Sequence, residues 1–567
     1  MHQTQRMLAL TMGILLISAV RICTAATFTC GTGDVTCLIN AMRAANGTAE
    51  PDTIRLAAGT YTLTAVDNAT DGPNGLPSVT SALTITGVGA ETTIIERAAG
   101  APGFRLVHVA ATGTLALEGL TLRGGRGSGF SVGGGLFNRG TLTISRATVA
   151  DHDFDEGGGL VNQGGTVTIA ASTFVNNVGF FVAAGVWNDG GSLSITDTTF
   201  AGGASEGSGA LLNEGGTVSL TNSTVVDNFG DTSGGLTNSG GVMVLTNSTL
   251  AQNFCRVCFG GSALLNASGG TAILTNTTVA ANTTAGSGSG GLTNDGGLLV
   301  VLNSIVAGNT YLQSRPADCT GQITSQGHNL IGSLMDCTIT LQPTDLTGDP
   351  GLDVYTDDGQ PGHGHYPLLR TSRAVDAGDP AACPSQDQLG QPRVGPCDIG
   401  AVEFHPVLPP GLTLTLNQST FTTGQTVRVA LRIHQPGPPF TGDFYFGAIL
   451  PDGQTALFMS HEGWIQARLD DPRAFRPLAK NAVLSQGLDL TFDPFFAYTF
   501  HGGEAAGIYS FFAALTPPEA FSDGGVEAGD LLALEAKPFR FSPSGTGGPV
   551  AQLPAKIQAI RDRHKNQ

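Results

Sequence analysis

The chain has 567 residues, of which 41% are hydrophobic and 13% are charged, and its formal net charge is −18. A chain of this length is too long to fold around one compact core, and its apolar content excludes a disordered chain. Two or more folded units are therefore expected. The acidic balance argues against nucleic acid as a partner, because phosphates require cations and the first lysine of the chain is Lys480.

Residues 1–25 have the pattern of a secretory signal peptide. Arg6 supplies the positive charge, the apolar run 7–20 is too short to span a bilayer, and residues 23–26 offer small side chains for cleavage. We therefore expect an exported protein, secreted or held at the cell surface, without a transmembrane span.

Eight cysteines remain once Cys23 leaves with the signal peptide, and they form four pairs of sequence neighbours. The Cys-x-x-Cys spacing of Cys255 and Cys258 also suits a redox or metal-binding pair, but no second such pair accompanies it. Local structural disulfides are therefore favoured. The eight cysteines are Cys30, Cys37, Cys255, Cys258, Cys319, Cys337, Cys383 and Cys397.

A short helix is predicted at residues 36–46, just ahead of the first clear strand at 53–56. Leu38, Ile39 and Met42 recur there at helical spacing. We expect this helix to cap the open end of the fold that follows.

A short sequence motif that ends in asparagine recurs through the middle of the chain at spacings of 24 to 28 residues. Most copies continue as x-Gly-Gly and two alternating strands, as in residues 217–228. Such units lack helical apolar spacing and are too short for a propeller blade. Residues 26–405 are therefore predicted to form an all-β fold, a right-handed parallel β-helix with three-strand coils of about 25 residues. The repeated asparagines are Asn138, Asn162, Asn188, Asn213, Asn238, Asn266 and Asn294.

Stacked coils would place these asparagines above one another, so that each amide donates to one neighbour and accepts from the other. Two further asparagine rows follow the same period. The third row contains Asn-x-Ser/Thr motifs, which are glycosylation acceptors in a eukaryotic secretory pathway. The register of this row with the coils nevertheless favours a structural role for its asparagines. The second row is Asn177, Asn228, Asn253, Asn282 and Asn309, and the third is Asn222, Asn247, Asn276 and Asn303.

Three stretches resemble a family of bacterial exported β-helix proteins. Residues 37–46 resemble its Cys-Leu-Arg-Glu-Ala opening, with Ile39 and Asn40 where the family has Arg and Glu. Residues 327–332 and 374–403 look like the C-terminal portion of its choice-of-anchor, polymorphic outer-membrane-like members. The resemblance covers residues 27–405. It implies an exported protein, often attached to the surface by a variable C-terminal module, and it brings no agreed catalytic residues.

The variable module is predicted at residues 406–545, after the proline-rich linker that begins at Pro406. Alternating and aromatic strands punctuated by turn residues predict an Ig-like antiparallel β-sandwich. Its Trp464 and Tyr498 could stack on sugar, although such aromatics more often belong to a core. Residues 546–567 are predicted to be a flexible polar tail.

The turn after the main asparagine row provides a first candidate site. Asp189 and Glu214 lie one coil apart there, which would bring two carboxylates to about 5 Å, near the separation in retaining glycosidases. Gln163 and Ser239 occupy the same slot in other coils. An ordinary solvated turn is therefore the favoured interpretation.

The variable loop after the second asparagine row is the preferred site. His152 is its candidate base, beside Asp153 and Asp155 as candidate catalytic carboxylates. Aromatic side chains beside carboxylates would suit a sugar-binding groove, whereas the alternative is that these aromatics cover the apolar edge of each loop. The candidate ligand-binding residues are Phe154, Phe181, Phe229, Phe254 and Arg256.

A third cluster could bind calcium or a transition metal but lacks the spacing of a known metal loop, so neither a metal site nor a cofactor is assigned. It contains Asp353, Asp357, Asp358, His363 and His365.

Two functions follow from these residues. The favoured one is a secreted or surface binding and adhesion protein that recognises an extracellular glycan or a surface partner. The alternative is a polysaccharide lyase or glycoside hydrolase, since such enzymes also use this fold. A purely structural surface-layer component is a third option, and the oligomeric state is left open.

Overall fold

The computed structural model describes residues 25–127, 132–258, 260–405, 410–437, 439–522 and 531–544. The predicted signal peptide, apart from Ala25, and the predicted tail lie outside these residues. The chain divides into two compact units at the boundary between Phe404 and His405. Within the described ranges, no helix is both long and apolar enough to cross a membrane.

The first unit is a parallel β-helix, as predicted. Each regular coil contributes strands to three sheets, called here sheets A, B and C. Sheet A receives two short strands per coil rather than one, because the Asn-x-Gly-Gly turn divides it into two parallel ladders. The two ladders meet in the strand Cys319–Ser325.

The strands of each sheet stack in chain order. The longer ladder of sheet A is Thr27–Cys30, Asp52–Leu56, Ala82–Thr86, Thr114–Glu118, Thr141–Ser145, Thr166–Ala170, Ser192–Thr196, Thr217–Thr221, Val242–Thr246, Thr271–Thr275, Leu298–Leu302, Cys319–Ser325 and Cys337–Thr340. Its shorter ladder is Val107–Val109, Leu136–Asn138, Leu160–Gln163, Val186–Asp189, Leu211–Glu214, Leu236–Ser239, Leu264–Ala267, Leu292–Asp295 and Cys319–Ser325. Sheet B is Gly59–Leu63, Thr93–Arg97, Thr121–Arg123, Thr148–Ala150, Thr173–Val175, Thr199–Ala201, Thr224–Val226, Thr249–Ala251, Thr278–Ala280, Ile305–Ala307, Leu330–Ile331 and Leu346–Thr347. Sheet C is Asp153–Phe154, Val178–Gly179, Ala204–Ser205, Phe229–Gly230, Phe254–Cys255, Thr283–Thr284 and Thr310–Tyr311, followed by the antiparallel Arg315–Pro316.

The core follows from the alternation within each strand. In Thr217–Thr221, Val218 and Leu220 are buried while their neighbours face outward. Val218 pairs with Leu193 of the preceding coil and Met243 of the next. Like side chains therefore stack through the coils as a continuous aliphatic core.

The main asparagine row forms an unbroken ladder from Asn138 to Asn294, as predicted. Each amide nitrogen donates to the Oδ1 of the next asparagine at 2.8 Å. The same nitrogen also donates within its coil, as Asn213 does to the carbonyl of Gly216 at 3.0 Å. All but Asn294 are fully buried, so the ladder satisfies amides that water does not reach.

The two other rows differ from each other. In the second row, Asn228 donates to Asn253 and Asn253 to Asn282, at 3.0 and 2.9 Å. The third row lies at a turn whose residues have positive φ, for example 46° at Asn247, a conformation that asparagine tolerates better than most residues. Its amides at Asn247 and Asn276 are buried, and this burial does not suit glycosylation.

The N-terminal cap and the disulfides agree with the predictions. The helix Val35–Ala45 begins after Asp34, whose carboxylate accepts from the Cys37 amide at 2.9 Å, and it buries Leu38 and Met42. Each disulfide joins sequence neighbours. The four bonds are Cys30–Cys37, Cys255–Cys258, Cys319–Cys337 and Cys383–Cys397.

Beyond the last coil the chain turns back and covers the outer face of sheet B. We call residues 350–404 the return segment. It bonds to a row of sheet B threonines: the Thr224 hydroxyl donates to the Gly364 carbonyl at 2.8 Å, and the Ala401 amide donates to the Thr278 hydroxyl at 3.0 Å. Gly362 approaches so closely that an added Cβ would lie 2.4 Å from the Asn222 carbonyl.

The return segment is fastened by a buried ion pair. The Arg393 guanidinium lies 3.1 Å from the Glu403 carboxylate, with both side chains at most 3% exposed. Arg393 also donates to the Asn247 side chain and to the carbonyls of Gly400 and Ala401. The segment that carries the family-like motif thus closes onto the coils.

The second unit contains the predicted antiparallel sheets. Its smaller sheet and its larger sheet share one aromatic core, in which Leu414 and Val427 meet Phe446 and Phe511. The smaller sheet is Gly411–Leu416, Thr426–Gln435 and Leu488–Thr499. The larger sheet is Thr420–Phe421, Ala533–Phe541, Gly507–Thr516, Phe440–Ile449, Thr455–Ser460 and Gly463–Arg468, with Ala479–Leu484 paired to Phe440–Ile449 and the short 3₁₀ helix Pro472–Ala474 nearby.

Candidate functional site

His152 is a structural residue, so its interpretation as an accessible base is wrong. Its side chain is fully buried, and burial lowers its pKa to about 3. Its Nδ1 accepts from the Gly125 amide at 2.9 Å, and its Nε2 lies 3.1 Å from the Leu122 carbonyl. The His152 amide donates to Asn177, so the imidazole takes the place of an asparagine in the second row.

The structure separates the other residues of the predicted loop site. Phe154 is 2% exposed and belongs to the interior, which removes it as a surface for sugar stacking. Asp153 pairs with Arg126 at 3.2 Å. Phe181 is exposed but packs edge-on against Phe180, two coils before Phe229.

Phe229, Phe254 and Arg256 do come together. The rings of Phe229 and Phe254 lie in neighbouring coils, 5.8 Å between centroids. The Arg256 guanidinium lies 5.5 Å from the Phe229 ring centroid and 2.5 Å from the Asp231 carboxylate. The carboxylate and the ring fix the long arginine side chain against the rim of the helix.

A groove of about 340 Å³ lies beside this group, between the residues that follow sheet C and the end of the short sheet A strands. Its walls carry the carboxylates of Glu206, Asp231 and Asp295, and Val257 and Leu265 add apolar surface. Sequence reasoning missed Glu206 and Asp231 as partners of Asp295, because they lie in different parts of the coil. The groove can accept hydrogen bonds from hydroxyl or ammonium groups.

Asp189 and Glu214 are register partners in adjacent strands, as the coil period predicts. Each already accepts a hydrogen bond from the preceding coil: Gln163 donates to Asp189 at 3.1 Å and the Trp187 indole donates to Glu214 at 3.2 Å. The pair forms part of an exposed polar edge of sheet A, the arrangement expected of a solvated turn.

The residues of the third cluster, for which no metal site was assigned, form separate contacts. Asp358 pairs with His363 at 3.0 Å, Asp357 accepts from the Gly359 amide, and His365 contacts the His363 carbonyl. Among the described residues, no group of three or more His, Cys, Asp or Glu side chains is arranged to hold a metal ion.

A cationic cluster that the sequence analysis missed surrounds His108. Its Nε2 lies 3.2 Å from Asp71 and its Nδ1 lies 2.9 Å from the Ser78 hydroxyl. Arg105, 1% exposed, stacks on Phe137, and burial lowers its pKa to about 10. Arginine and histidine within the apolar run 104–109 were the available signal. Because both side chains are buried, a ligand does not reach them in this conformation.

Trp464 and Tyr498 lie at one cavity of about 620 Å³ in the second unit. Both side chains are about two-fifths exposed. They are therefore neither core residues nor isolated surface aromatics.

The fold defines the class: this is a parallel β-helix protein with a second unit of antiparallel β-sheets. No protein-family model and no curated protein sequence matches the chain. Among solved structures, the crystal structure of pectate lyase Pel9A aligns with 68% of this chain and 98% of its own, at 14% identity and a TM-score of 0.39. A likeness of this extent carries no information about activity.

Proposed function

We propose that the protein is an exported carbohydrate-binding protein of a bacterial surface. In this proposal it belongs with the choice-of-anchor β-helix proteins that the motifs at 37–46 and 374–403 resemble, and its second unit is their variable module. The β-helix is a rigid scaffold that holds a glycan chain beside Arg256. The four disulfides are consistent with an oxidising, extracellular compartment.

The observation that carries the proposal is the grouping of Phe229, Asp231 and Arg256 beside the groove. A sugar ring has an apolar face and a rim of hydroxyl groups, so it suits a site with an aromatic face, a fixed guanidinium and carboxylate acceptors. Successive coils rise by about 4.8 Å, so a chain of sugars laid along the rim would meet new side chains at each coil.

Charge favours a neutral or amino-bearing glycan over a uronate. Glu206, Asp231 and Asp295 line the groove, and the Arg256 guanidinium beside it is already paired with Asp231. A uronate carboxylate would meet like charges there, and Arg256 is already engaged by one of them.

Binding is better supported than turnover. The proposed base His152 is buried in an asparagine row, and the paired carboxylates Asp189 and Glu214 are hydrogen-bonded at a solvated turn. The lyase or hydrolase alternative therefore has weaker support.

Calorimetric titration with a neutral β-glucan, a chitosan oligomer and polygalacturonate tests the proposal. We expect binding of a neutral or amino glycan, and Phe229→Ala and Arg256→Ala should each weaken it about tenfold. Val242→Ala, which truncates an exposed side chain of sheet A, is the matched control and should leave binding unchanged.

Preference for polygalacturonate, or equal binding by wild type and both variants, would contradict the proposal. The same glycans are assayed for new reducing ends and for absorbance of unsaturated products. Turnover that is abolished by Asp189→Asn and Glu214→Gln would replace it with the enzyme alternative.

A further inference from the structure

The second unit opens a cavity of about 620 Å³ between its two sheets. Phe496 and Tyr498 come from the smaller sheet, and Trp464 comes from the edge strand Gly463–Arg468 of the larger one. Phe511 and Phe539 of the shared core line its inner part. The volume falls within the range of ordinary small-molecule sites.

The wall of the cavity is aromatic and partly exposed. The Trp464 and Phe496 rings meet edge to face at 5.3 Å, and Tyr498 packs in the same manner on Phe500 at 5.4 Å. Trp464 is 41% exposed and Tyr498 is 40% exposed. Large aromatic side chains left partly exposed around a cavity provide π faces for a ligand.

Two carboxylates stand in the same lining. Glu504 accepts from the Tyr498 hydroxyl at 2.5 Å and from the amides of His501 and Gly502 at 2.9 and 2.8 Å. Asp452 accepts from the amide and the hydroxyl of Thr455. These hydrogen bonds lower the pKa of both carboxyl groups, that of Glu504 to about 2. Both are therefore ionised at neutral pH.

The charge of this pair is only partly offset within the described part of the chain, where Arg468 lowers the pKa of Asp452 but is itself paired with Asp470 at 2.7 Å. Neither Glu504 nor Asp452 forms an ion pair with a lysine, arginine or histidine there. The cavity thus combines aromatic walls with two carboxylates that form no direct ion pair among the described residues. An anionic ligand would be repelled, whereas a compact, strongly hydrated cation would lose its water against apolar walls.

We propose that this cavity binds an organic cation, an alkylated ammonium head group carried on an apolar body. The head group would lie against the Trp464 and Tyr498 faces within the field of Glu504 and Asp452, and the body would extend toward Phe511. Aromatic faces attract such cations, and methylated ammonium ions give up hydration more readily than metal ions. This site is independent of the groove beside Arg256.

Tryptophan fluorescence makes the site directly observable. The chain has two tryptophans, so Trp187→Phe leaves Trp464 as the single reporter. The full chain carrying this change is titrated with choline, with its uncharged carbon isostere 3,3-dimethylbutan-1-ol and with hexyltrimethylammonium. We expect saturable changes with both cations, about tenfold weaker binding of the isostere and tighter binding of the hexyl compound.

Variants separate charge from shape. Asp452→Asn and Glu504→Gln should each weaken cation binding severalfold and leave the isostere unaffected. Calorimetry with Trp464→Leu should show a loss of about tenfold, and Phe492→Leu, which truncates an exposed aromatic outside the cavity lining, should show none. Equal affinity for choline and its isostere, or no saturable response to any probe, overturns the proposal.

Discussion

The amide of Asn188 donates to the Oδ1 of Asn213 at 2.8 Å, and Asn213 repeats the same bond to Asn238. Each asparagine is thus a donor to one coil and an acceptor from the other. A buried amide in this arrangement leaves neither its oxygen nor its nitrogen without a partner. The ladder links seven coils through their interior, independently of the backbone hydrogen bonds.

Replacing Asn213 by leucine should therefore destabilise the β-helix by about 1–3 kcal/mol, because the Asn188 donor and the Asn238 acceptor each lose a partner inside the protein. Ser219→Leu places the same side chain on the exposed face of the same coil and is the control. Denaturant unfolding of both variants measures the difference. A melting temperature of Asn213→Leu equal to that of the control would refute the role assigned to the ladder.

The buried His152 should make a contribution to stability that is lost in acid. Its folded-state pKa of about 3 lies below the ordinary value near 6.5, so the unfolded chain binds more protons between these values. Stability is fully present above pH 6.5 and is lost as the pH falls toward 3. At pH 4.5 the loss from this residue should reach roughly 2–3 kcal/mol.

His152→Asn tests this directly, because asparagine is the residue that other coils place in this row. Measured by unfolding at intervals of pH, the stability of the variant relative to that of the wild type should rise as the pH falls from 6.5 toward 3, by roughly 2–3 kcal/mol at pH 4.5. His461→Asn, at an exposed histidine, is the control and should leave the pH profile unchanged. A pH profile of His152→Asn equal to that of the wild type would show that His152 does not cause the difference in bound protons between the folded and the unfolded chain.

The period of the sequence was enough to predict the coils, because each coil repeats the same sequence pattern and makes its contacts with the adjacent coils. The same period also indicates the position of His152, which lies 25 residues, or one coil, before Asn177 of the second row. The neighbouring carboxylates make His152 a candidate base, whereas the period places it in the second row. The groove carboxylates Glu206, Asp231 and Asp295 lie in three different coils and in two different parts of the coil. No local sequence pattern therefore predicts that they share one groove.

The return segment could not be predicted in this way. Its contacts join residues far apart in the chain, such as Thr249 and Gln388 at a separation of 139. It has no repeat of its own, and the threonines that it covers look like ordinary strand residues. Arg393 and Glu403 fasten the segment through their buried ion pair, which indicates a structural role for these two residues.

Breaking the Arg393–Glu403 pair should destabilise the return segment strongly. Either Arg393→Met or Glu403→Gln leaves a buried charge without its partner, at a cost of about 3–5 kcal/mol. The double variant should be less destabilised than the sum of the two single variants. Limited proteolysis within 350–404 and thermal unfolding measure the effect.

Arg432→Met is the control for this cycle, because it removes an arginine from an exposed pair with Asp489 and should not change the melting temperature. Single variants as stable as this control would show that the buried pair does not fasten the segment. Exact additivity in the double variant would show that the two charges do not interact.

Asp398 should add a pH dependence of opposite sign to that of His152. Burial raises its pKa to about 6 against the hydrogen bonds it accepts from the amides of Asp376 and Phe404. Between the ordinary value near 4 and this value the folded chain binds more protons than the unfolded one, so stability falls as the pH rises through the window. The loss should be roughly 2–3 kcal/mol and complete above pH 6.

The variant Asp398→Asn tests this pH dependence. It loses one hydrogen bond at every pH but should abolish the slope, so its stability relative to wild type should improve from pH 4 to pH 6. Because His152 acts in the opposite direction over the same range, the wild type should show a shallow profile that each variant steepens in its own direction. A relative stability of Asp398→Asn that stays constant across this range would mean that Asp398 is ionised in the folded protein throughout.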